Sequence, residues 1–150
     1  DDLFKLVKNA KDKYSIEGIV TGALASTYQS TRIQKICNKL GLWCFNPLWQ
    51  LSQEKLLDKL QTYKITSIVT GVAAEPFDES WLGKELDPTV INELLSLSKK
   101  YRINPAGEGG EFESLVINAP MFAKRLEIIS SEIHYSNFAG RLHIKEAKLI

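Results

Sequence analysis

Large apolar residues recur at helical spacing in four segments of the chain, with polar residues on the opposite face. These segments predict helices at residues 3–13, 26–40, 52–63 and 87–100. Shorter runs rich in β-branched residues predict strands. They lie at residues 16–23, 42–45, 65–72, 112–117, 125–134 and 141–150. In the third helix, the face predicted to point inward carries Leu56, Leu57, Leu60 and Tyr63.

Polar residues at the borders of these segments predict where the helices begin and end. Ser26 followed by Gln29 is a capping-box pattern, in which each side chain can satisfy a free backbone N–H of the other residue. Gly41 is placed to end that helix in a left-handed conformation. Asp87 followed by Pro88 predicts the start of the last helix.

The order of the elements predicts an α/β fold. Helices alternate with strands through most of the chain, and strands crowd its end. This pattern indicates a mostly parallel sheet with an appended C-terminal antiparallel portion. The runs at 16–23 and 65–72 both contain Ile-Val-Thr-Gly, so we expect them to form neighbouring parallel strands. No linker divides the chain, and residues 1–150 are expected to form a single region.

Composition narrows the class of protein. The 44% of hydrophobic and 25% of charged residues are typical of a soluble globular chain, and the net charge of +1 does not favour binding to nucleic acid or to a membrane surface. Cys37 and Cys44 form no CxxC pair, so we expect free thiols and no metal ligands. The lack of a signal peptide or an apolar span favours a cytoplasmic location.

The densest polar cluster is Gly-Glu-Gly-Gly-Glu-Phe-Glu at residues 107–113. Its glycines let the backbone come close to a ligand or adopt left-handed turns. The carboxylates of Glu108, Glu111 and Glu113 can bind an ammonium group, hold Mg²⁺ or take a proton from an attacking amine. A tight turn with solvated glutamates explains the same residues, and composition alone favours that interpretation.

A second polar cluster, residues 22–29 with Arg32, lies where a predicted strand ends and a helix begins. Ligands of open α/β sheets bind at that edge. Free backbone N–H groups, the Ser26 hydroxyl and the Arg32 guanidinium suit an anion or a carboxylate. Simple helix capping by Ser26, with Arg32 on the surface, is equally compatible.

Aromatic and imidazole side chains offer weaker signals. Trp49 stands beside a turn and either lines a pocket or belongs to the core, and a core position is also expected for Trp43 and Trp81. His134 and His143 fall in predicted strands without a partner in sequence, so we interpret them as structural.

Together, these motifs resemble the diphthine–ammonia ligase family, a branch of the N-type ATP pyrophosphatases. The most specific element is the segment 107–113 followed by Ala-Pro-Met-Phe at 119–122. Supporting motifs occur in the family's order at residues 22–32, 37–42, 47–49 and 82–84. The resemblance covers about residues 2–127. Most differences from the family's usual residues are conservative exchanges, as at Ala106, Thr27, Ser114 and Asn118. Residues 74–76 differ more from the family's usual sequence.

The resemblance implies a Rossmann-like sheet of the adenine nucleotide alpha-hydrolase, or PP-loop, type. The chain would be the C-terminal, substrate-side part of such a ligase. The family's pyrophosphate-binding motif, Ser-Gly-Gly-Lys-Asp-Ser, does not occur in these residues. We therefore expect that the chain alone binds substrate without activating it.

The resemblance also implies the reaction and its participants. The intact enzyme would use ATP, with Mg²⁺, to activate diphthine on translation elongation factor 2, and ammonium would then give diphthamide. Glu108 or Glu111 would position ammonium and accept its proton. The other residues expected to bind substrate are Ser26, Tyr28, Gln29, Arg32, Trp49, Gly109, Gly110 and Glu113. No membrane and no direct nucleic-acid contact are expected, and a homodimer is compatible.

Two alternatives stay open. Another ATP pyrophosphatase could amidate a small metabolite or modify tRNA, although the near-neutral charge disfavours tRNA. A non-catalytic module that recognises the same substrate is the second.

Overall fold

The computed structural model describes residues 2–150, and each predicted helix and strand is present in them. The helices are α1 (Asp2–Tyr14), α2 (Thr27–Leu40), α3 (Gln53–Thr62) and α4 (Pro88–Tyr101). The strands are β1 (Gly18–Val20), β2 (Trp43–Phe45), β3 (Thr66–Val72), β4 (Phe112–Asn118), β5 (Leu126–Ser136) and β6 (Ala139–Leu149). A short 3₁₀ helix covers Glu79–Trp81. No helix among these residues is long and apolar enough to span a membrane.

The predicted helix borders at Ser26, Gly41 and Asp87 are confirmed, but the capping box is only half formed, because within residues 2–150 the Gln29 side chain makes no hydrogen bond to Ser26 N. Ser26 Oγ accepts a hydrogen bond from the backbone N–H of Gln29 at 3.3 Å, which satisfies one of the free donors at the start of α2. Gly41 ends that helix with φ of 63°, in the left-handed region that suits glycine. The Asp87 carboxylate accepts from Val90 N at 2.8 Å and so caps α4.

The chain divides into two compact units, one that ends at Leu51 and one that runs from Ser52 to Ile150. The sequence shows no linker at this border. In the N-terminal unit, β1 and β2 pair in parallel, and α1 and α2 contribute to a core around Val7, Ile36, Cys37 and Leu42.

Trp43 is not a core residue, contrary to expectation. It lies in β2 with 70% of its surface exposed. Successive side chains of a strand point to opposite faces, and in β2 it is Cys44 that packs against the core. Tyr63, expected to point inward from α3, is also exposed because it follows the last turn of that helix.

The C-terminal unit is built on a four-stranded antiparallel sheet with the order β4-β3-β6-β5. Its core includes Phe77, which is fully buried and makes edge-to-face contacts with Trp81 at 5.0 Å and Phe112 at 5.7 Å. The core position expected for Trp81 is therefore confirmed. Val69, Val72, Leu82, Leu86, Val90, Leu94 and Ile103 complete this core.

The expected sheet arrangement needs correction. The α/β class and the C-terminal antiparallel portion are confirmed, but the antiparallel sheet is the larger one and parallel pairing is confined to β1 and β2 in the described residues. The two Ile-Val-Thr-Gly strands are not parallel neighbours, since β3 pairs with β4 and β6. The shared tetrapeptide reflects local strand preference, whereas pairing depends on residues far away in sequence.

The β5–β6 hairpin diverges from β3 for an identifiable reason. Backbone hydrogen bonds join Gly83 and Lys84 to Val69, and Leu86 to Ser67, at 2.8–2.9 Å. This connection occupies the edge of β3 along its first half, so only Gly71 and Val72 are left to pair with β6. The divergence leaves a cleft of about 540 Å³ on one side, which is lined by Ile68, Leu82, Ile117, Leu126, Ile128 and Ile133 among others.

Candidate functional site

Glu111 holds the glycine-rich loop in place. Its Oε1 accepts hydrogen bonds from the backbone N and the side-chain Nδ2 of Asn104, at 2.8 and 2.7 Å. Its Oε2 accepts from Gly109 N at 2.9 Å. One carboxylate therefore joins the start and the middle of the loop to its end.

A second side chain reaches the loop from the first turn of α3. Gln53 donates from Nε2 to Asn104 Oδ1 at 2.8 Å and accepts at Oε1 from Ala106 N at 3.0 Å. Gln53 and Asn104 are absent from the residues predicted to form the site. Neither carries a local sequence signal, because their pairing joins positions 51 residues apart.

The glycines of the loop are required by its geometry. Gly107 has φ of +74°, and a Cβ at this position would lie 2.7 Å from the carbonyl oxygen of Phe112. A Cβ at Gly109 would lie 2.7 Å from both Asn104 Nδ2 and Glu111 Oε1. Any larger residue at these positions would displace the hydrogen bonds that shape the loop. Gly107 and Gly109 thus allow the backbone to come close to other groups of the protein, namely Phe112, Asn104 and Glu111.

The hydrogen bonds also set the acidity of Glu111. Partial burial raises the pKa of its carboxyl, but the hydrogen bonds donated by Asn104, by its own backbone N–H and by Gly109 together outweigh that effect. The net result is a pKa below the ordinary value for glutamate, because donors stabilise the charged form. Glu111 is therefore an anionic anchor and a weak proton acceptor.

Glu108 differs from Glu111 in its surroundings. It lies at the exposed tip of the loop, between Gly107 and Gly109. Within residues 2–150, its carboxylate has no hydrogen bond or ion pair to a protein group. Of these two glutamates, Glu108 is the one whose oxygens are available to a ligand.

Glu113 lies just beyond the loop, exposed in β4. It lines a cleft of about 530 Å³ together with Gly71, Gly110, His134, Arg141 and His143. The two histidines, interpreted from sequence as structural, are exposed on one face of the β5–β6 hairpin with their rings 6.4 Å apart. They and Arg141 are site candidates that had no partner visible in sequence, because strand pairing alone brings them to Glu113.

The other predicted site residues belong to the N-terminal unit. Arg32 Nη1 donates to the hydroxyl of Tyr28 at 3.1 Å, one turn earlier on α2. Both line a shallow cleft of about 430 Å³ with Thr27, Thr31 and Lys35. Ser26 and Gln29 form the cap that starts the helix. This arrangement presents a guanidinium at the beginning of a helix, a place that suits an anion.

Trp49 is half-buried and lines a small cleft of about 270 Å³ with Asn46 and residues of α2. The turn that carries it is fixed by two contacts: Gln50 N donates to Leu24 O at 2.7 Å, and the Thr21 hydroxyl donates to Asn46 Oδ1. Trp49 thus lines a pocket and is also partly packed.

Potential metal ligands do not cluster in the part of the chain that the structure describes. Nowhere between residues 2 and 150 do three His, Cys, Asp or Glu side chains converge so that they could hold an ion.

Comparison with known proteins yields two family models, which match adjoining parts of the chain. The diphthamide synthase N-terminal domain matches residues 1–44, and the diphthamide synthase C-terminal domain matches residues 52–150. The start of the second match coincides with the border between the two compact units at Ser52.

Similar curated proteins carry the name diphthine–ammonia ligase. The Schizosaccharomyces pombe protein is 40% identical over 148 residues, which are 97% of this chain and 24% of that protein. The proteins of Bos taurus and Homo sapiens are 41% and 40% identical over 134 residues, or 89% of this chain and 50% of each protein. The chain thus spans half the length of these mammalian relatives and about a quarter of the yeast one.

Proposed function

Because the chain belongs to the diphthamide synthase family, we propose that it is the substrate-side part of a ligase that converts diphthine on translation elongation factor 2 into diphthamide. ATP and ammonium are the co-substrates, and AMP and pyrophosphate are released. The observation that carries the proposal is the glycine-rich loop, which Glu111 holds in shape while the neighbouring Glu108 stays open to a ligand.

The chemistry explains why such a loop is useful. A carboxylate is a poor acyl donor, so one of its oxygens first attacks the α-phosphorus of ATP and displaces pyrophosphate. Neutral ammonia then attacks the carbonyl carbon, and AMP leaves as the amide forms. Ammonium must lose a proton before it can attack, and a well-placed carboxylate can accept that proton.

The two glutamates of the loop take different roles in this proposal. Glu108 accepts the proton of ammonium, because its carboxylate is exposed and unengaged in the described residues. Glu111 is a positioning residue, since its oxygens are occupied by three N–H donors and its pKa is lowered. Gly110 contributes space for the substrate, because a Cβ there would meet nothing within 4 Å and the residue lines the cleft of about 530 Å³. Gly109 contributes indirectly, since its N–H donates to Glu111 and its lack of a side chain leaves room for Asn104 and Glu111.

The second part of the proposal concerns the residues of the N-terminal unit. The parallel strands β1 and β2, with α2 between them in the chain, are consistent with a Rossmann-like sheet of the PP-loop type, in which ligands bind beyond the carboxyl ends of parallel strands. We assign Ser26, Tyr28, Gln29, Arg32 and Trp49 to the acyl-adenylate or to the diphthine end. The hydrogen bond to Tyr28 orients the Arg32 guanidinium for such an anion.

Mg²⁺ would accompany ATP. No three potential ligands converge within residues 2–150, so the described residues do not form a site that fits the ion. A cytoplasmic location belongs to the same proposal, since elongation factor 2 works there. A homodimer is compatible with it.

The test is an amidation assay with the full-length protein that contains this chain. Elongation factor 2 carrying diphthine, ATP and limiting ammonium are supplied, and diphthamide is followed by mass spectrometry alongside AMP release. Glu108→Gln should lower the rate about 100-fold, within the range typical of a lost general base. The matched control Glu146→Gln changes an exposed glutamate of β6 and should keep the rate.

Three outcomes would contradict parts of the proposal. AMP release that does not depend on elongation factor 2 would indicate another ATP pyrophosphatase. Binding of the factor without ATP turnover would indicate a recognition module. An unchanged rate in Glu108→Gln would remove the proton-accepting role from this residue.

A further inference from the structure

Helix α2 carries three cations and no acid. Arg32, Lys35 and Lys39 lie at positions i, i+3 and i+7, so they share one exposed face of the helix. A cleft of about 360 Å³ lies against this face, and Phe4 of α1 and Ile36 line it together with the three cations. This cleft, the basic groove, belongs entirely to the N-terminal unit.

Two cations of the basic groove have no counter-charge on the protein. On the neighbouring helix α1, Lys8 lies 2.6 Å from Asp12, one turn further along. Within residues 2–150, by contrast, the ammonium groups of Lys35 and Lys39 make no hydrogen bond or ion pair with a protein group. Their positive charges are therefore available to a partner.

The spacing of these two lysines makes an anionic partner favourable. Lys35 and Lys39 are four positions apart, and like charges at this spacing on a helix repel each other. Carboxylates that lie against both ammonium groups would relieve this repulsion and add attraction of their own. The charge of the groove thus selects for a ligand with more than one negative group.

The lining of the groove combines charge with apolar surface. Ile36 is buried and Phe4 is half-buried, so the bottom of the groove is apolar, whereas the lysines are exposed. The aliphatic stems of lysine can cover apolar surface while the charged ends stay in water. A ligand that matches both parts carries acids next to a large apolar side chain.

We propose that the basic groove docks an acidic segment of the protein substrate, with carboxylates at Lys35 and Lys39 and an apolar side chain against Phe4. This inference rests on the proposed function, since a ligase that modifies a protein has to hold that protein as well as the reacting side chain. Lys35 also lines the clefts that contain Tyr28 and Trp49, so the groove adjoins residues assigned to the substrate.

A nucleic acid matches the groove less well than an acidic peptide does. Nucleic-acid binding depends on cations that contact many phosphates along a strand. Here the cations span seven positions of one helix, or roughly 10 Å, and the net charge of the chain is only +1. A phosphate backbone also brings no apolar group to cover Phe4.

The first test is the binding of fluorescent peptides to the full-length protein at low salt, measured by anisotropy. One peptide has glutamates around a leucine and a phenylalanine, a second has glutamine in place of each glutamate, and a third has glutamates and glycines only. The first peptide should bind about tenfold more tightly than the second, and this preference should shrink as salt is added, because exposed charges are screened. The third should bind more weakly than the first, because it leaves the apolar lining uncovered.

A double variant removes the two unpaired charges. Lys35→Gln/Lys39→Gln should lose the preference for the acidic peptide, whereas its melting temperature should not fall, because the change removes repulsion and no contact. The matched control Lys55→Gln/Lys99→Gln removes two exposed lysines from α3 and α4 and should bind like the wild type. Both variants change the net charge equally.

Three results would overturn the proposal. The first is equal binding of the acidic peptide and its glutamine counterpart. The second is the same loss of binding in both double variants, which would indicate a general charge effect. The third is displacement of the acidic peptide by a short RNA at a lower concentration than the unlabelled peptide needs, which would indicate a nucleic-acid site.

The amidation assay then connects the groove to the protein substrate. In the full-length protein, Lys35→Gln/Lys39→Gln should raise the KM for elongation factor 2 about tenfold and leave kcat unchanged, because docking occurs away from the reacting atoms. An unchanged KM would contradict docking of the protein substrate and leave the ligase proposal intact. Peptide binding by a full-length protein that forms no diphthamide would support the acidic-segment groove and contradict the proposed function.

Discussion

The two segments that the sequence marks as ligand sites are held by different means. Side chains hold the glycine-rich loop at residues 104–111, with Glu111 and Gln53 making five hydrogen bonds to its backbone and to Asn104. The turn at residues 21–26 is held without charged groups, by backbone bonds from Thr21 N to Phe45 O and from Gln50 N to Leu24 O and by the hydroxyl groups of Thr21 and Ser26. Glutamates that lie close together in sequence therefore need not all accept protons, since Glu111 instead holds the loop in shape.

The stability of the loop should consequently depend on pH, and the loop should lose more stability than the turn when a single side chain is removed. Five substitutions and one pH titration test this difference, and the largest expected effect comes first.

Glu111→Ala should have the largest effect on stability. It leaves the backbone N–H groups of Asn104 and Gly109 without their acceptor, and hydrogen bonds to charged groups contribute about 1.5–3 kcal/mol each. We expect a loss of about 3 kcal/mol in the free energy of unfolding, measured by urea denaturation of the full chain. Glu108→Gln, a change at an exposed and unengaged carboxylate, is the control and should stay within about 0.5 kcal/mol. An unchanged free energy of unfolding in the Glu111→Ala chain would contradict the anchoring role of Glu111.

The same carboxylate predicts an acid-dependent loss of stability. The pKa of Glu111 is lower in the folded chain than in the unfolded one, so its contribution is fully present above the ordinary glutamate value of about 4.3. That contribution is lost as the pH falls through the lowered folded pKa. The difference in unfolding free energy between wild type and Glu111→Gln should therefore shrink from pH 6 toward pH 3, as urea titrations at each pH would show. A constant difference would mean that the charge does not matter.

Two glycines of the loop form a matched pair. Both have positive φ, but a Cβ at Gly107 would lie 2.7 Å from Phe112 O, whereas a Cβ at Gly110 would meet nothing within 4 Å. Gly110→Ala should cost about 1–2 kcal/mol through the left-handed backbone alone. Gly107→Ala should cost at least about 1 kcal/mol more because the backbone oxygen must move. Thermal unfolding of both variants gives the comparison, and equal melting temperatures would contradict it.

The smallest effects are expected at the turn. Ser26→Ala removes an exposed helix cap and should cost about 0.5–1 kcal/mol in unfolding free energy. Arg32→Ala removes an exposed hydrogen bond to Tyr28 and should stay within about 0.5 kcal/mol. In the full-length protein, Arg32→Ala should instead weaken turnover. Unchanged kinetics would show that this arginine belongs to the surface and not to the substrate site.

Local structure was predictable because its causes are local. The caps at Ser26, Gly41 and Asp87 follow from side chains or backbone preferences within a few residues. The glycine-rich loop was also identified, but the role of Glu111 was not. Its hydrogen bonds to Asn104, seven residues away, depend on how the loop folds back, and Gln53 reaches it from another helix.

By itself, the sequence determined which segments are helices and strands, where the helices begin and end, and which glycine-rich and polar segments mark candidate sites. Periodicity, caps and turn residues act over a few positions, so they can be recognised without the fold. Only the tertiary structure decided that β3 lies between two antiparallel neighbours, and that this pairing aligns Glu113, Gly71, Arg141 and His134 in one row. Strand register is set by contacts between residues far apart in the chain, and no local pattern contains that information.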